Sequence, residues 1–343
     1  MNKIVVVTGG AGYIGSHTVV ALADAGYTPV IIDDFRNAQP WIIDRIEQII
    51  DERPKVHEID CQDEALVAKV FSQYKNVFGV IHFAADKAVG ESVTNPLKYY
   101  QNNIGSLCAV LKIAEDRGVK NFVFSSSCTV YGEVSDPVVT ENHPVQAAMS
   151  PYGDTKITCE KIVRYTQEVS ARMSGILLRY FNPIGAHPSG LIGELPQGIP
   201  NNLVPYITQT ASGKRGKLTV FGNDYNTPDG TNVRDYIHVV DLAIAHVSAL
   251  NYLSQLENPV CDVVNLGTGR GTSVLEIIES FEKVNDLKLN YEIGPRRPGD
   301  VEQIYADASK AKEVLGWTCA YGIDEALKHA WEWEKSIQNR ETK

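Results

Sequence analysis

The run Thr8-Gly9-Gly10-Ala11-Gly12-Tyr13-Ile14-Gly15 constrains this chain more than any other stretch. It follows the β-branched run Ile4–Val7 and opens a helical pattern over Gly12–Ala25, which Gly26 stops in the position of a C′ glycine. Glycines 10, 12 and 15 satisfy GxGxxG, and glycines 9, 12 and 15 satisfy GxxGxxG. Alone such spacing is weak; between a strand and a helix it is strong. Positions without side chains let the backbone approach a pyrophosphate, and the helix N-terminus adds N–H donors and a partial positive charge. A tight turn between two buried elements is the rival reading.

The alternation of strand and helix continues. Pro29–Ile32, Lys55–Ile59, Val77–Phe83, Asn121–Phe124 and Gly175–Leu178 read as further strands, separated by helical patterns. The early strands are near-continuous or mixed apolar runs, as strands buried on both faces are. The expected fold is α/β, a doubly wound parallel sheet of the Rossmann type. A longer helix is predicted from Asn95-Pro96, with Asn95 as its cap and Leu97, Ile104, Leu107, Leu111 and Ala114 sharing a face up to Gly118. From Tyr180 to Gly230 the chain is rich in Pro, Gly and Asn, and short strands at best are expected there. The reading assigns residues 1–180 to a dinucleotide-binding domain and 181–343 mainly to a smaller substrate-covering region, with Asp262–Leu266 returning to the main sheet. Ser273 with Glu276 forms a capping box, and Ile323–Gln338 is a closing helix.

Bulk properties narrow the function. A chain of 343 residues, 43% hydrophobic and 22% charged, has the makeup of a soluble globular protein. A formal charge of −10 argues against nucleic-acid or anionic-membrane partners. The six cysteines are scattered with no CxxC pair and read as reduced thiols. Ile4–Val7 is too short for a signal-peptide core and no stretch approaches a membrane span, so the cytoplasm is the expected compartment. His17, His57, His82, His143, His187, His238, His246 and His329 show no shared metal spacing, and no metal is expected. Trp41, Trp317, Trp331 and Trp333 read as packing residues.

Asp33 ends the second strand at the ~20-residue offset of an acid that bonds adenosine ribose hydroxyls. A carboxylate there repels a 2′-phosphate and favours NAD over NADP, with nearby Arg36 the one contrary sign. Asp60 and Cys61 end the third strand, where Asp60 either reaches the adenine edge or caps a helix. Ser125-Ser126-Ser127 lies at the end of the fifth strand, and Tyr152 and Lys156 stand at i and i+4 on one helical face. A phenol of ordinary pKa near ~10 is a poor base. A neighbouring ammonium and the charge of oxidised nicotinamide would lower that value, and Ser127 would bond the reacting oxygen. A surface Tyr–Lys pair is the rival reading.

On the TGGAGYIGSH loop, His82-Phe83-Ala84-Ala85, Lys87–Ser92, Ser125–Gly132, Tyr152 with Lys156, Arg179–Pro183, Arg234–His238 and Arg296–Asp300, the chain resembles the extended short-chain dehydrogenase/reductase family. Within it, the resemblance is to the UDP-glucose 4-epimerases and covers essentially the whole chain. It implies reversible epimerisation of UDP-galactose and UDP-glucose through a 4-keto intermediate, on retained NAD. By the same resemblance Gly9, Gly12, Tyr13, Ile14, Gly15, Asp33, Asp60, Cys61, Phe83, Ala84, Lys87, Asn102, Ser125, Tyr152, Lys156 and Tyr180 hold the cofactor. Lys87, Ser127, Tyr152, Phe181, Asn182, Asn202, Leu203, Thr219, Phe221, Arg234, Arg297, Asp300 and Ile304 face the sugar nucleotide. The arginines also make sense alone, since guanidinium forks match phosphate oxygens, although Arg-then-Asp pairs in both late blocks are the structural alternative.

Related enzymes pair two long helices from each subunit into a four-helix bundle. The faces of Leu97–Ala114 and Ile157–Val169 suit such a homodimer, and equally suit packing onto the chain's own sheet. Dehydratases of the family carry acidic residues where this chain has Cys128 and Thr129, and decarboxylating relatives have glutamate at the latter. Rival readings are an epimerase of UDP-uronates or of UDP-N-acetylhexosamines, for which Ile304 is neither small nor aromatic, and a dehydrogenase that releases NADH. A catalytically silent NAD-binding protein leaves Tyr152, Lys156 and Ser127 together without a reason.

Overall fold

In the computed structural model, which describes residues 3–297 and 300–341, neighbouring residues of the first strand enter different cores. Along β1 (Lys3–Thr8), Val5 and Val7 pack on one side of the sheet and Val6 on the other, all fully buried. This is the two-residue period of a strand covered on both faces, and it explains an apolar run without polar alternation.

From β1 the chain passes through α1 (Tyr13–Asp24), β2 (Tyr27–Asp33), α2 (Ile42–Ile50), β3 (Lys55–Glu58), α3 (Glu64–Ser72) and β4 (Val77–His82). Next come α4 (Val89–Thr94), α5 (Pro96–Tyr99), a π-helical turn over Tyr100–Ile104, α6 (Gly105–Asp116), β5 (Asn121–Ser127), β6 (Val138–Val139), α7 (Pro151–Val169) and β7 (Ser174–Tyr180). Then follow β8 (Asn182–Ile184), α8 (Leu203–Ala211), β9 (Leu218–Phe221), β10 (Val233–Arg234), β11 (Tyr236–His238), α9 (Val239–Ser254) and β12 (Cys261–Leu266). The described chain closes with β13 (Thr272–Ser273), α10 (Val274–Asn285), β14 (Tyr291–Gly294), β15 (Gln303–Ala306), α11 (Ser309–Leu315) and α12 (Ile323–Glu341).

Seven strands form one sheet in the order β12-β7-β5-β4-β1-β2-β3, with every pairing parallel. On one face Val19 and Leu22 of α1, Ile46 of α2 and Leu242 and Leu250 of α9 pack on Val5, Val7, Ile31, Ile81 and Leu178. On the other, Phe71 of α3, Leu107 and Val110 of α6 and Val163 of α7 pack on Val6, Val30, Ile32, Val80 and Phe124. This is the expected doubly wound α/β sheet. Its strand order reverses between β1 and β4, and such folds bind ligands outside the carboxyl ends of the strands at that reversal.

A further core joins Val204 and Ile207 of α8, Leu218 and Val220 of β9, Ile277 and Phe281 of α10 and Leu327 of α12. The small sheet β13-β10-β15-β6 and the pairs β11–β8 and β14–β9 link this region to the main sheet's carboxyl edge. Ser273 and Glu276 form a reciprocal capping box on α10.

Three expectations need correction. Asn95 makes no side-chain cap, and Leu97 is 70% exposed rather than on the buried face of Leu107, Leu111 and Ala114. The π-helical turn between them has more residues per turn than an α-helix, which rotates Leu97 out of register. The Tyr180–Gly230 stretch contains α8, whose Val204 and Ile207 gain from burial what their β-branched side chains lose in helix propensity. Finally, α9 is a long helix where the sequence reading placed none. It is buried nearly all round, so it lacks the polar stripe that marks an amphipathic helix.

Candidate active site

The glycine loop is built by exclusion. Gly9 has φ +68°, and a Cβ there would meet the backbone of Ala84 at 2.9 Å. A Cβ on Gly15 would overlap the carbonyl oxygen of Gly9, so α1 reaches this close to the loop only with glycine. Gly12 is the N-cap of α1 and carries no capping side chain, which leaves the mouth of the helix N-terminus open. The Asp33 carboxylate accepts the N–H of Ala11 and of Phe35, each at 2.9 Å. It braces the loop from beneath, a role the sequence did not reveal. Burial raises its pKa, against the pull of those two N–H donors.

At the end of β3, Asp60 accepts from Arg36 at 2.7 Å and from the N–H of Gln62 at 2.8 Å. The cap of α3 is Asp63, which accepts from Leu66 N–H at 3.0 Å, so the helix-cap alternative for Asp60 falls. Arg36 also bonds Asp34 and donates to the Asn102 side chain at 3.0 Å. Its guanidinium is thus engaged on three sides. Cys61 is buried beside it, and burial pushes its thiol pKa up.

The catalytic candidates converge from β5 and α7. Ser150 caps α7, accepting Gly153 N–H at 3.2 Å, and Pro151 fills the first turn. That start places Tyr152 and Lys156 over the end of β5. Lys156 donates to the carbonyl of Ser125 at 2.7 Å, with its ammonium 5.8 Å from the centre of the Tyr152 ring. Ser125 and the phenol of Tyr180 hydrogen-bond across β5 and β7.

Burial raises the Tyr152 pKa, and the hydrogen bond with Ser127 only partly offsets this. Burial lowers Lys156 to about 8. In the protein alone desolvation dominates, because this corner holds both groups away from water; the expected lowering draws also on the charge of oxidised nicotinamide.

A buried tie behind the site was missed in sequence. Glu160, one helical turn beyond Lys156, accepts from Ser126 at 2.6 Å and from Arg179 at 2.8 and 2.6 Å. Ser126 and Arg179 are register partners on β5 and β7 and face opposite to Ser125 and Ser127. The available signal was Lys156 and Glu160 at i and i+4, together with one polar residue on each strand pointing to the helix side.

All the cofactor candidates line one cleft of about 290 Å³: Gly9, Gly12, Tyr13, Ile14, Gly15, Asp33, Asp60, Cys61, Phe83, Ala84, Lys87, Asn102, Ser125, Tyr152, Lys156 and Tyr180. Ser127, Phe181, Asn182 and Asn202 line it too. The other sugar-nucleotide candidates lie beyond its lining. Leu203 opens α8, and Thr219 and Phe221 lie on β9. Arg297 sits 5.8 Å from the Phe221 ring and pairs with Asp300 at 2.6 Å. Arg234 donates to the carbonyls of Val233 and Glu302 at 2.9 and 3.4 Å. Ile304, its register partner, is buried in a cluster with Phe181, against which Cys128 packs.

The two Arg–Asp sequences therefore differ. Arg297 and Asp300 do pair, whereas Asp235 accepts from Thr268, Gly269 and Ala306. Pro298 and Gly299 of the same block lie outside the described residues.

Two further features had no sequence signal. Glu194 receives Lys87 at 3.1 Å and Asn202 at 2.7 Å. His17, His187, His238 and His329, far apart in sequence, interact behind the glycine loop, with His238 and His329 joined at 3.0 Å. Burial lowers His17 and His238 to about 3, so both are neutral at physiological pH. No described helix is long and apolar enough to cross a membrane.

A family model described as GDP-mannose 4,6 dehydratase matches residues 6–330. The chain is 50% identical over 335 residues to the UDP-glucose 4-epimerase of Dictyostelium discoideum, covering 98% of this chain and 96% of that protein. Among solved structures it resembles the UDP-glucose 4-epimerase of Stenotrophomonas maltophila with bound NAD and formylated UDP-arabinopyranose. That match has a TM-score of 0.96 and 42% identity over 99% of this chain and 100% of the other. It also resembles the enzyme from Bifidobacterium longum in complex with NAD+ and UDP, with a TM-score of 0.93 and 45% identity over 98% and 99% of the two chains. The glycine cradle, the Tyr152–Lys156 corner and these full-length likenesses agree: this chain belongs to the UDP-glucose 4-epimerases of the extended short-chain dehydrogenase/reductase family.

Proposed function

We propose that this protein interconverts UDP-galactose and UDP-glucose by inverting the hexose at its 4-position, with NAD retained in the cleft. The observation that carries this reading is one continuous cleft, with a side-chain-free pyrophosphate cradle at one end and Tyr152, Lys156 and Ser127 at the other. The residues fit a dinucleotide: Gly9 and Gly15 leave backbone where any Cβ would collide, and the start of α1 presents its N–H donors to a phosphate. Asp33 lies where ribose hydroxyls would reach it, and Arg36 is engaged by Asp34, Asp60 and Asn102 rather than turned toward a 2′-phosphate, which supports NAD over NADP. Bound NAD supplies reversible hydride acceptance and return.

The chain's own residues do the rest. Tyr152 takes and returns the proton of the sugar's 4-hydroxyl, and Ser127 orients that oxygen. Lys156, held by the Ser125 carbonyl, keeps positive charge beside the phenol. Asn182, Asn202, Arg234, Arg297 and Asp300 hold the UDP portion, with Thr219 and Phe221 along the uracil and Leu203 and Ile304 closing the site. Holding UDP while the hexose turns uses binding energy remote from the reacting carbon. Cys128 has its thiol pushed up to about 12 by burial, and Thr129 has no acid function. The extra proton transfers of a dehydratase therefore lack a carboxylate here.

On this reading residues 1–180 serve mainly NAD and residues 181–343 mainly the sugar nucleotide. The outer faces of α5 to α7, where Leu97, Tyr165 and Val169 are exposed, suit a homodimer. Six free thiols suit the cytoplasm. The reading is tested by denaturing purified protein and identifying the released nucleotide by mass. NAD in near-stoichiometric amount is expected; release of NADP instead, or of no dinucleotide even after loading with NAD, overturns it.

A further inference from the structure

Two consecutive arginines follow β14, and each lies over an aromatic ring. Arg296 is 4.1 Å from the centre of the Tyr225 ring and Arg297 5.8 Å from that of Phe221. The epimerase reading gives a task to Arg297 and none to Arg296. The Arg296 guanidinium is taken up within the protein: Nε donates to the Asp224 carboxylate at 2.7 Å and Nη2 to the Asp224 carbonyl oxygen. Two bonds to one residue and a ring beneath hold a half-exposed side chain in one place.

The stack beneath it reaches Phe221. Tyr225 is buried and its hydroxyl has no hydrogen-bond partner among the described residues, so the ring serves through its faces. Gly222, the residue after Phe221, has φ +83°, and a Cβ there would meet the Tyr225 ring at 2.6 Å and the Arg296 side chain at 3.0 Å. Gly222 also donates its N–H to the Gly294 carbonyl at 2.9 Å, which joins the end of β9 to the end of β14. The Gly222 backbone, Tyr225 and Arg296 thus form one close-packed block between Phe221 and Arg297. Asp224, Tyr225 and Arg296 lie outside the lining of the cofactor cleft, so a bound dinucleotide does not compete for these contacts.

Phe221 is 43% exposed and Arg297 is exposed too, so burial fixes neither. Such side chains bind a ligand well only where the backbone that carries them is already in place. We propose that Arg296 is a positioning residue for the nucleotide: by clamping Asp224 and Tyr225 it presets Phe221 for a base and Arg297 for a diphosphate, touching neither ligand group itself. The inference rests on the reading that Phe221 lies along the uracil and Arg297 holds the UDP phosphates.

Charge and position give opposite signs at Asp224. If Arg296 merely attracted the diphosphate, removing the Asp224 carboxylate would free its charge and tighten binding. Under the clamp, the same change loosens Arg296 and weakens binding. The experiment is calorimetric titration of UDP into NAD-containing parent protein, Asp224→Asn, Arg296→Lys and Arg296→Met, with KM and kcat for UDP-galactose on each. Both Arg296 variants should weaken UDP by about tenfold, because lysine keeps the charge but not the planar fork. Asp224→Asn should weaken it by about threefold, since the Asp224 carbonyl still holds one nitrogen. KM should rise with kcat within about twofold of the parent, and bound NAD, which reports an intact fold, should be unchanged. Unchanged or tighter binding by Asp224→Asn, or parent-like binding by Arg296→Lys, overturns the clamp. If the Arg296 variants do not fold, Asp224→Asn, at a side chain 70% exposed, still gives the deciding sign. A parent protein that does not bind UDP overturns the functional reading instead, so the two failures are distinct.

Discussion

The ammonium of Lys156 donates to the carbonyl oxygen of Ser125 at 2.7 Å, which ties the helix carrying Tyr152 to the strand that ends at Ser127. This single bond fixes the geometry of three residues from two elements. It also anchors a cation in a place where burial disfavours it.

Replacing Tyr152 by Phe removes the proton acceptor and leaves the ring packing intact. Turnover should fall by about 10²–10⁴, the usual contribution of a positioned acid–base group, with UDP affinity unchanged. Steady-state kinetics with calorimetric UDP binding checks this. Near-normal turnover removes Tyr152 from the mechanism.

Lys156 should cost the protein stability. Its pKa in the fold is about 8, below the ordinary lysine value. Between about 8 and ~10.4 the unfolded chain binds the extra proton, so this group makes stability rise with pH across that window and is a burden below it. Lys156→Met should therefore abolish turnover while raising stability at pH 7 by about 1–3 kcal/mol, less the lost hydrogen bond to Ser125. Chemical denaturation of parent and variant at pH 7 and pH 10 reads both the gain and the flattened pH slope; a variant less stable than the parent at pH 7 contradicts it.

The Glu160–Arg179 pair should behave in the opposite way. Both side chains are buried, and Arg179 lies 4.9 Å over the Tyr131 ring. Removing one charge strands the other, at a cost of about 3–5 kcal/mol. Glu160→Gln should show that loss in urea denaturation, whereas a change within error would mean that water reaches the pair.

Gly15→Ala tests the cradle. Its methyl has no room against Gly9, so the start of α1 must move away from the loop. The variant should be purified with little or no bound dinucleotide, as read by mass after denaturation. Full retention would show that the loop does not hold the pyrophosphate.

Much of this was legible in the sequence because it depends on local chemistry. The glycine spacing, the β-branched runs and the Tyr152–Lys156 interval each report a backbone constraint or a periodicity confined to a few residues. What stayed hidden depends on contacts between distant segments. Asp33 bracing Ala11 and Phe35, Glu160 bonding Ser126 and Arg179, and Glu194 receiving Lys87 and Asn202 are all set by the crossover of elements. Leu97 went to the wrong face because one π-helical turn defeats a fixed 3.6-residue count. α9 escaped notice because a helix buried all round has no stripe to read.

The central claim is tested most directly by incubating the purified protein with UDP-galactose, adding neither metal nor free NAD, and following the sugars by proton NMR. The account predicts UDP-glucose accumulating toward equilibrium with no net NADH. No conversion even after NAD is added, or NADH released in proportion to sugar consumed, would contradict it.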